Sequence, residues 1–229
     1  MVLDDNHAAR YGASVRIGAM ESHSLLCPYD QRWPDEFDRI RAELAGALGS
    51  LAESIDHIGS TSIPGMAAKD CIDIQVRCRT LESAAFDTAF ADIGFTRSDN
   101  EWNRGDHVPR GWQGPSDQWD KLVYGPPNGH RLTNVHVRVV GHANARYALL
   151  FRDYLRADAL VAAAWGELKQ RLASHMPREL DSTYVRERIR AGGPGSAYGW
   201  IKDTATDVLI RAAELWAERA AWQPEVTAP

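Results

Sequence analysis

The stretch from His57 to Val76, HIGSTSIPGMAAKDCIDIQV, puts a glycine and three hydroxyls directly after an apolar strand, and a single acid inside a second strand. Gly59 lets backbone N–H groups approach an anion closely, and Ser60, Thr61 and Ser62 can donate hydroxyls to it, which is the chemistry of a phosphate cradle. On the second strand the two-residue period sends Ile72, Ile74 and Val76 to a core and turns Asp73, Gln75 and Arg77 to the opposite, cleft- or solvent-facing side. The same residues also suit an ordinary turn and a capping or ion-paired acid, so spacing alone leaves both readings open.

Further along, RLTNVHVRVV alternates, with Leu132, Asn134, His136 and Arg138 on one face and Thr133, Val135, Val137 and Val139 on a core face. His136 suits a general base, because its unperturbed pKa lies nearest neutrality, and equally suits a structural role. Lys69, at the end of the glycine-serine loop, and Lys121, Arg138 and Lys202 offer positive charge to a phosphate or another acidic ligand without any metal. Asp120, in QWDKLVY, adds one acid next to an expected strand. Trp102, Trp112 and Trp119 lie on a Gly/Pro-rich segment and suit a stacking lid, whereas Trp33, Trp165 and Trp216 suit helix packing. DHVPRGWQGPS reads as a surface loop, and RDYLRAD, with Arg152 and Arg156, as a solvated helix face.

The elements that position these groups follow from periodicity. Phe37, Ile40, Leu44 and Leu48 mark a helix that starts at Pro34 and stops at Gly49. Strands are expected around Ile55 to Ile58 and Cys71 to Cys78, a helix over LESAAFDTAFADIG, and a strand near WDKLVYGP. NARYALLFRDYLRADALVAAAWGELKQRLASHM reads as a long helix with possible breaks, and KDTATDVLIRAAELWAERAAW as another. A net charge of -5 gives no electrostatic footprint for polymeric nucleic acid. Nothing approaches the roughly 18 apolar residues of a membrane span, and the N-terminus has no apolar run of signal-peptide length, so the expectation is a cytoplasmic protein with no membrane partner. Three cysteines without CxxC spacing point to reduced thiols rather than a disulfide framework or a zinc site.

HIGSTSIPGMAAKDCIDIQV, together with CPYDQRWPDEF upstream and NVHVR, ARYALLFRDYLRAD and YGWIKDTATDVL downstream, resembles the GrpB family (UPF0157) of the polymerase-beta-like nucleotidyltransferase superfamily, from Leu25 to Trp222. The resemblance implies an α+β fold: a nucleotidyltransferase-type small mixed sheet flanked by helices over 25–142, with a helical C-terminal region over 143–229 packed on it. A loosely ordered arm is expected over 1–24. It further implies a cleft where a Gly-Ser turn holds a nucleoside triphosphate, an Asp-x-Asp strand binds magnesium, and a third carboxylate helps to activate the acceptor. Gly59 and Ser60 match the turn and Asp73 the first metal carboxylate, but Gln75 stands at the second, where a neutral oxygen weakens a two-metal site. On this basis Asp73, His136 and Asp120 are the expected catalytic residues, and Asp73 and Gln75 the expected metal ligands. Gly59, Ser60, Thr61, Ser62, Lys69, Lys121, Arg138 and Lys202 are the expected binders of phosphate. The implied reaction moves a nucleotidyl group from a nucleoside triphosphate to an unknown acceptor. The alternative is a non-catalytic module for a nucleotide, a CoA-like ligand or a protein, since a related domain is fused to dephospho-CoA kinase in some chains. The insertion-like stretch 182–197, carrying Arg186, Arg188 and Arg190, is longer than the family's usual connection.

Overall fold

Pro34 fixes the first turn of a helix where a missing N–H costs nothing, and Asp35 and Glu36 face the positive end of its dipole. In the computed structural model, which describes residues 26–98, 103–175 and 197–225, this helix is α1, Trp33–Leu48. Gly49 ends it at φ +49°, returning its N–H to the Ala45 carbonyl. The strands are β1 (Ser54–Ile58), β2 (Ile72–Cys78), β3 (Thr96–Arg97), β4 (Leu122–Gly125) and β5 (Thr133–Val139), in the spatial order β1-β2-β5-β4-β3. β2 and β5 run parallel, and the other pairs antiparallel, so the sheet is mixed as expected.

The alternation in β2 and β5 sorts the sheet into two faces. Ile72, Ile74, Val76, Val135 and Val137 pack with Leu44 of α1 and with Phe86 and Phe90 of α2 (Ser83–Asp92) in one apolar core. Each fully buried side chain of this kind contributes about 1.5–3 kcal/mol. The parallel register sets Asp73 beside Asn134, Gln75 beside His136 and Arg77 beside Arg138 on the other face.

That polar face is covered by protein. Helix α3 (Ala143–Ala157) lies on it, and α4 (Ala159–His175) and α5 (Ala197–Ala220) pack against α3. The long helical stretch breaks at Asp158, whose Oδ1 accepts the N–H groups of Leu160 and Val161 and caps α4. Of the face expected to be solvated, Arg156 is exposed but also donates to the Ser62 carbonyl, whereas Arg152, 7% exposed, is buried and donates to the His57 carbonyl. They tie α3 to the end of β1 and to the turn that follows it. Leu150 and Tyr154 meet Ile210, Ala213 and Ala217 between α3 and α5, while Leu155 and Trp165 meet Ile63 and Met66. The expectations for the arm 1–24, for Trp102 and for Arg186, Arg188 and Arg190 lie outside the described residues. Among the described residues no helix is long and apolar enough to cross a membrane, and Cys27, Cys71 and Cys78 are free thiols.

Candidate functional site

At the end of β1, Gly59 adopts φ +69° and leads into a short 3-10 turn, Ser60–Ser62. A side chain is excluded there for a second reason: a Cβ on Gly59 would lie 2.4 Å from Oδ2 of Asp73 on the adjacent strand. The turn and the acid therefore form one packing unit. Gly59→Ala should lose about 1–3 kcal/mol from the backbone alone, since φ +69° with ψ -172° is a conformation kept essentially to glycine, and more from displacing Asp73. Gly65 is the control, because it too has positive φ, +78°, yet has nothing within 4 Å of its would-be Cβ. Urea unfolding is expected to show a larger loss for Gly59→Ala than for Gly65→Ala; equal losses would mean that the carboxylate contact is irrelevant.

The three hydroxyls of the turn have different fates. Ser62 Oγ donates to the Gly59 carbonyl at 2.6 Å and closes the turn. Thr61 Oγ1 lies 3.0 Å from His57 Nε2, on the core side. His57 stacks on Phe37 at 4.7 Å, and burial, followed by Arg156 and Arg152, lowers its pKa to about 3, so it is neutral. Ser60 alone of the three lines the cleft, with Lys169 Nζ 2.9 Å from its Oγ.

A second cluster centres on an acid that the sequence places in a surface loop. Asp106 accepts from Arg138 Nε at 2.7 Å, Lys121 Nζ at 2.7 Å and Asn144 Nδ2 at 3.1 Å. Its N–H bonds the Trp119 carbonyl and the Lys121 N–H bonds that of Arg104, a short antiparallel bridge that carries Asp106 inward. Burial opposes its ionisation, but Arg138 and Lys121 outweigh burial and hold the carboxyl below the usual range. Asp120, expected in this role, is exposed and offers only its carbonyl, to Asn144 Nδ2, while its neighbours Trp119 and Lys121 line the cavity. One signal for Asp106 was present in the sequence: Lys121 and Arg138 on inward positions need a buried carboxylate from somewhere.

Gln75 is fully buried and its amide is committed at both ends. Oε1 accepts from Arg138 Nη1 at 2.7 Å, and Nε2 donates to the Ala145 carbonyl of α3 at 3.2 Å. His136 is held well below its usual pKa by burial, then by Lys121 and Arg138, and its Nδ1 is buried without a protein partner. It is a neutral imidazole inside the sheet-helix layer and does not line the cavity.

Magnesium needs several anionic oxygens free to turn toward it. Asp73 Oδ1 accepts from Asn134 Nδ2 at 3.0 Å, and burial raises its pKa against the opposing pull of Asn134, Lys202 and Lys69. The Gln75 oxygen lies under a guanidinium, and the Asp106 oxygens are covered by Arg138, Lys121 and Asn144. Among the described residues no three His, Cys, Asp or Glu side chains converge as a metal would require. The residues at this site do not fit a magnesium ion held by Asp73 and Gln75.

Both clusters open on one cavity of about 630 Å³, with Gly59, Ser60, Asp73 and Lys202 at one end and Asp106, Lys121 and Arg138 at the other. An aromatic wall runs between them: Trp119, Tyr147, Phe151 and Trp165 follow one another with ring centroids 5.8, 6.4 and 5.4 Å apart. Trp112 packs edge-on against Trp119, so Trp119 is a fixed wall rather than part of a free lid. The loop from His107 to Arg110 is clipped to Asp207 of α5, through His107 Nε2 at 2.9 Å and the Arg110 N–H at 3.2 Å.

Lys169 was not evident from the sequence as a site residue. Its spacing is the clue, because Trp165, Lys169 and Ala173 form the buried stripe of α4. Burial and then Lys202 lower the Lys169 pKa to about 8, with Asp73 opposing, and the same influences lower that of Lys69. Lys69, Lys169 and Lys202 thus all interact with the Asp73 carboxylate.

The family profile described as GrpB protein matches residues 24–190. The UPF0157 protein BH1888 of Halalkalibacterium halodurans is 30% identical over 173 residues, covering 72% of this chain and 79% of that protein. A dephospho-CoA kinase of Mycolicibacterium paratuberculosis is 31% identical over 215 residues, covering 87% of this chain and 48% of the kinase. The UPF0157 protein YqkA of Bacillus subtilis is 33% identical over 155 residues, covering 67% of this chain and 40% of YqkA. The chain thus spans less than half of the length of these last two relatives. The crystal structure of conserved protein GrpB from Enterococcus faecalis superposes with a TM-score of 0.58 at 24% identity, over 86% of this chain and 99% of that one, which shows a shared fold.

Proposed function

The chain belongs to the GrpB family, and from that premise we propose that its cleft binds a phosphorylated small molecule through ammonium groups, with no divalent metal required. One observation carries this reading: Lys69, Lys169 and Lys202 gather around Asp73 beside the Gly59–Ser60 turn. This gathering of cations stands inside a chain whose net charge is -5. A phosphate would add a counter-charge and relieve the mutual repulsion of the lysines. The adjacent aromatic wall suits a nucleobase or another flat group, so a nucleotide or a CoA-like ligand fits both halves of the cavity. The name dephospho-CoA kinase, borne by relatives longer than this chain, supports a ligand of that type. Nucleotidyl transfer to an unknown acceptor, the sharper expectation from the sequence, finds no carboxylate pair free for magnesium among the described residues, so binding is the function proposed.

Calorimetric titration with pyrophosphate, ATP and CoA, in EDTA and in magnesium, tests this. Binding is expected in EDTA, and Lys202→Met should weaken it at least tenfold, since a hydrogen bond to a charged group is worth about 1.5–3 kcal/mol. Affinity should fall as pH rises past about 8, where Lys169 loses its charge. Asp73→Asn separates the two readings by sign: removing a carboxylate that competes with phosphate should tighten binding, whereas removing a metal ligand would abolish it. Binding that appears only with magnesium and vanishes in Asp73→Asn would overturn the proposal.

A further inference from the structure

Lys169 differs from the other cleft lysines in what it touches. It is 3% exposed, and its Nζ has Ser60 Oγ at 2.9 Å and the Ala67 carbonyl at 2.7 Å, neither of them a carboxylate. The two partners are not equivalent. A carbonyl can only accept, whereas a serine hydroxyl can accept or donate. An ammonium donates to both. A neutral amine keeps the bond to Ala67 and needs a donor for its lone pair, and of these two contacts Ser60 is the one that can supply it. Loss of the Lys169 proton therefore turns the Ser60 O–H toward Nζ and leaves the serine oxygen's other lone pair for the cavity, which Ser60 lines. The neutral form is within reach near neutral pH, because burial and Lys202 lower the Lys169 pKa to about 8.

We propose that Ser60 and Lys169 act as nucleophile and general base, and that the cleft opens a small activated ester or thioester through an acyl-serine at Ser60. The step balances with groups present in the site and water. Ser60 Oγ bonds the acyl carbon while its proton passes to Nζ. The carbon–oxygen or carbon–sulfur bond to the leaving group breaks, and the Lys169 ammonium returns the proton to the departing alkoxide or thiolate. Water, deprotonated by the neutral amine, then attacks the acyl carbon; the bond to Oγ breaks, the acid leaves and Ser60 recovers its proton. Paired serine and lysine perform this chemistry on unrelated folds. Lys202, at the same end of the cavity, is placed to face negative charge developing on the acyl oxygen. The inference rests on the cleft as a ligand site but not on phosphate in the ligand.

The test is labelling of the full chain with a biotinylated fluorophosphonate between pH 6 and 10, with the modified peptide identified by mass spectrometry. The expected result is a single label on Ser60, with a rate that rises through a midpoint near the Lys169 pKa of about 8. Ser60→Ala should remove the label, and Lys169→Met should slow it at least a hundredfold, in keeping with the usual contribution of a general base of about 10²–10⁴. Lys169→Arg keeps a cation but has no accessible neutral form, so it should also lose the label. Should the lysine variants fail to fold, the wild-type pH profile and Ser60→Ala decide. An unlabelled Ser60 in a chain that binds pyrophosphate would overturn the nucleophile and leave the phosphate site standing. A labelled Ser60 in a chain that binds no phosphate would do the reverse.

Discussion

Asp106→Leu should lower the free energy of unfolding in urea by about 3–5 kcal/mol, the range for removing one partner from a buried ion pair. The loss is large because Arg138 and Lys121, with side chains 7% and 9% exposed, would keep their charges and lose the shared carboxylate. Asn144 Nδ2 would lose one of its two acceptors as well. Asp106→Asn should cost less, because an amide oxygen still accepts from Arg138. Asp120→Ala is the paired control: its carboxylate is exposed, and surface changes of this kind usually stay within about 0.5 kcal/mol. The sign with pH is also set. The folded-state pKa of Asp106 is depressed, so its stabilisation is complete above the ordinary carboxylate range, near pH 4, and disappears only as pH falls through the lower folded value. Wild type and Asp106→Leu should therefore converge in strong acid. A loss under about 1 kcal/mol for Asp106→Leu, or a larger one for Asp120→Ala, would show that the ion cluster does not hold the cleft together.

The contrast between Asp106 and Asp120 shows what a sequence reveals of such a site. Period-two alternation in IDIQV and VHVRV assigns every residue of β2 and β5 to its correct face, because that depends only on local backbone geometry. Pro34, Gly49 and the Gly59–Ser60 turn are legible for the same reason. Alternation cannot say whether a polar face meets water or a helix. Gln75, Arg77 and Arg138 read as cleft residues and are buried, because α3 lies over Gln75, Asp56 and the Glu225 carbonyl take up Arg77, and Asp106 takes up Arg138. Contacts set by distant chain are less legible still: Lys169 meets Ser60 across 109 positions, and Asp106 enters only through the bridge between Gly105 and Asp120. The helix break at Asp158 was marked, since an acid followed by three apolar residues is a serviceable cap, but the run of helix formers on both sides obscured it.

Gln75→Asp would create an Asp-x-Asp pair on β2, and it is expected to weaken the fold without recruiting magnesium. The shorter side chain withdraws the Nε2–H that now reaches the Ala145 carbonyl, leaving that acceptor without this donor, a cost of about 1–3 kcal/mol. The missing methylene adds about 1 kcal/mol through incomplete repacking, so a total loss of about 2–4 kcal/mol is expected in urea. The new carboxylate would lie against Arg138, which already holds Asp106, and would form an ion pair there instead of turning toward Asp73. Unfolding in 10 mM magnesium chloride, compared with EDTA, measures the second half of the prediction. A site with a dissociation constant near 0.1 mM would gain about 2.7 kcal/mol from that concentration, and no such gain is expected. A gain of that size would mean that the acid alone was missing and that the donors around it rearrange for a cation. Gln75→Glu keeps the length and the oxygen that Arg138 binds but sets a second acceptor against the Ala145 carbonyl, so its loss in urea combines the lost bond with that repulsion. Glutamine at this position is a two-way connector, accepting from Arg138 of β5 and donating to α3, and a carboxylate can perform only the first of these tasks.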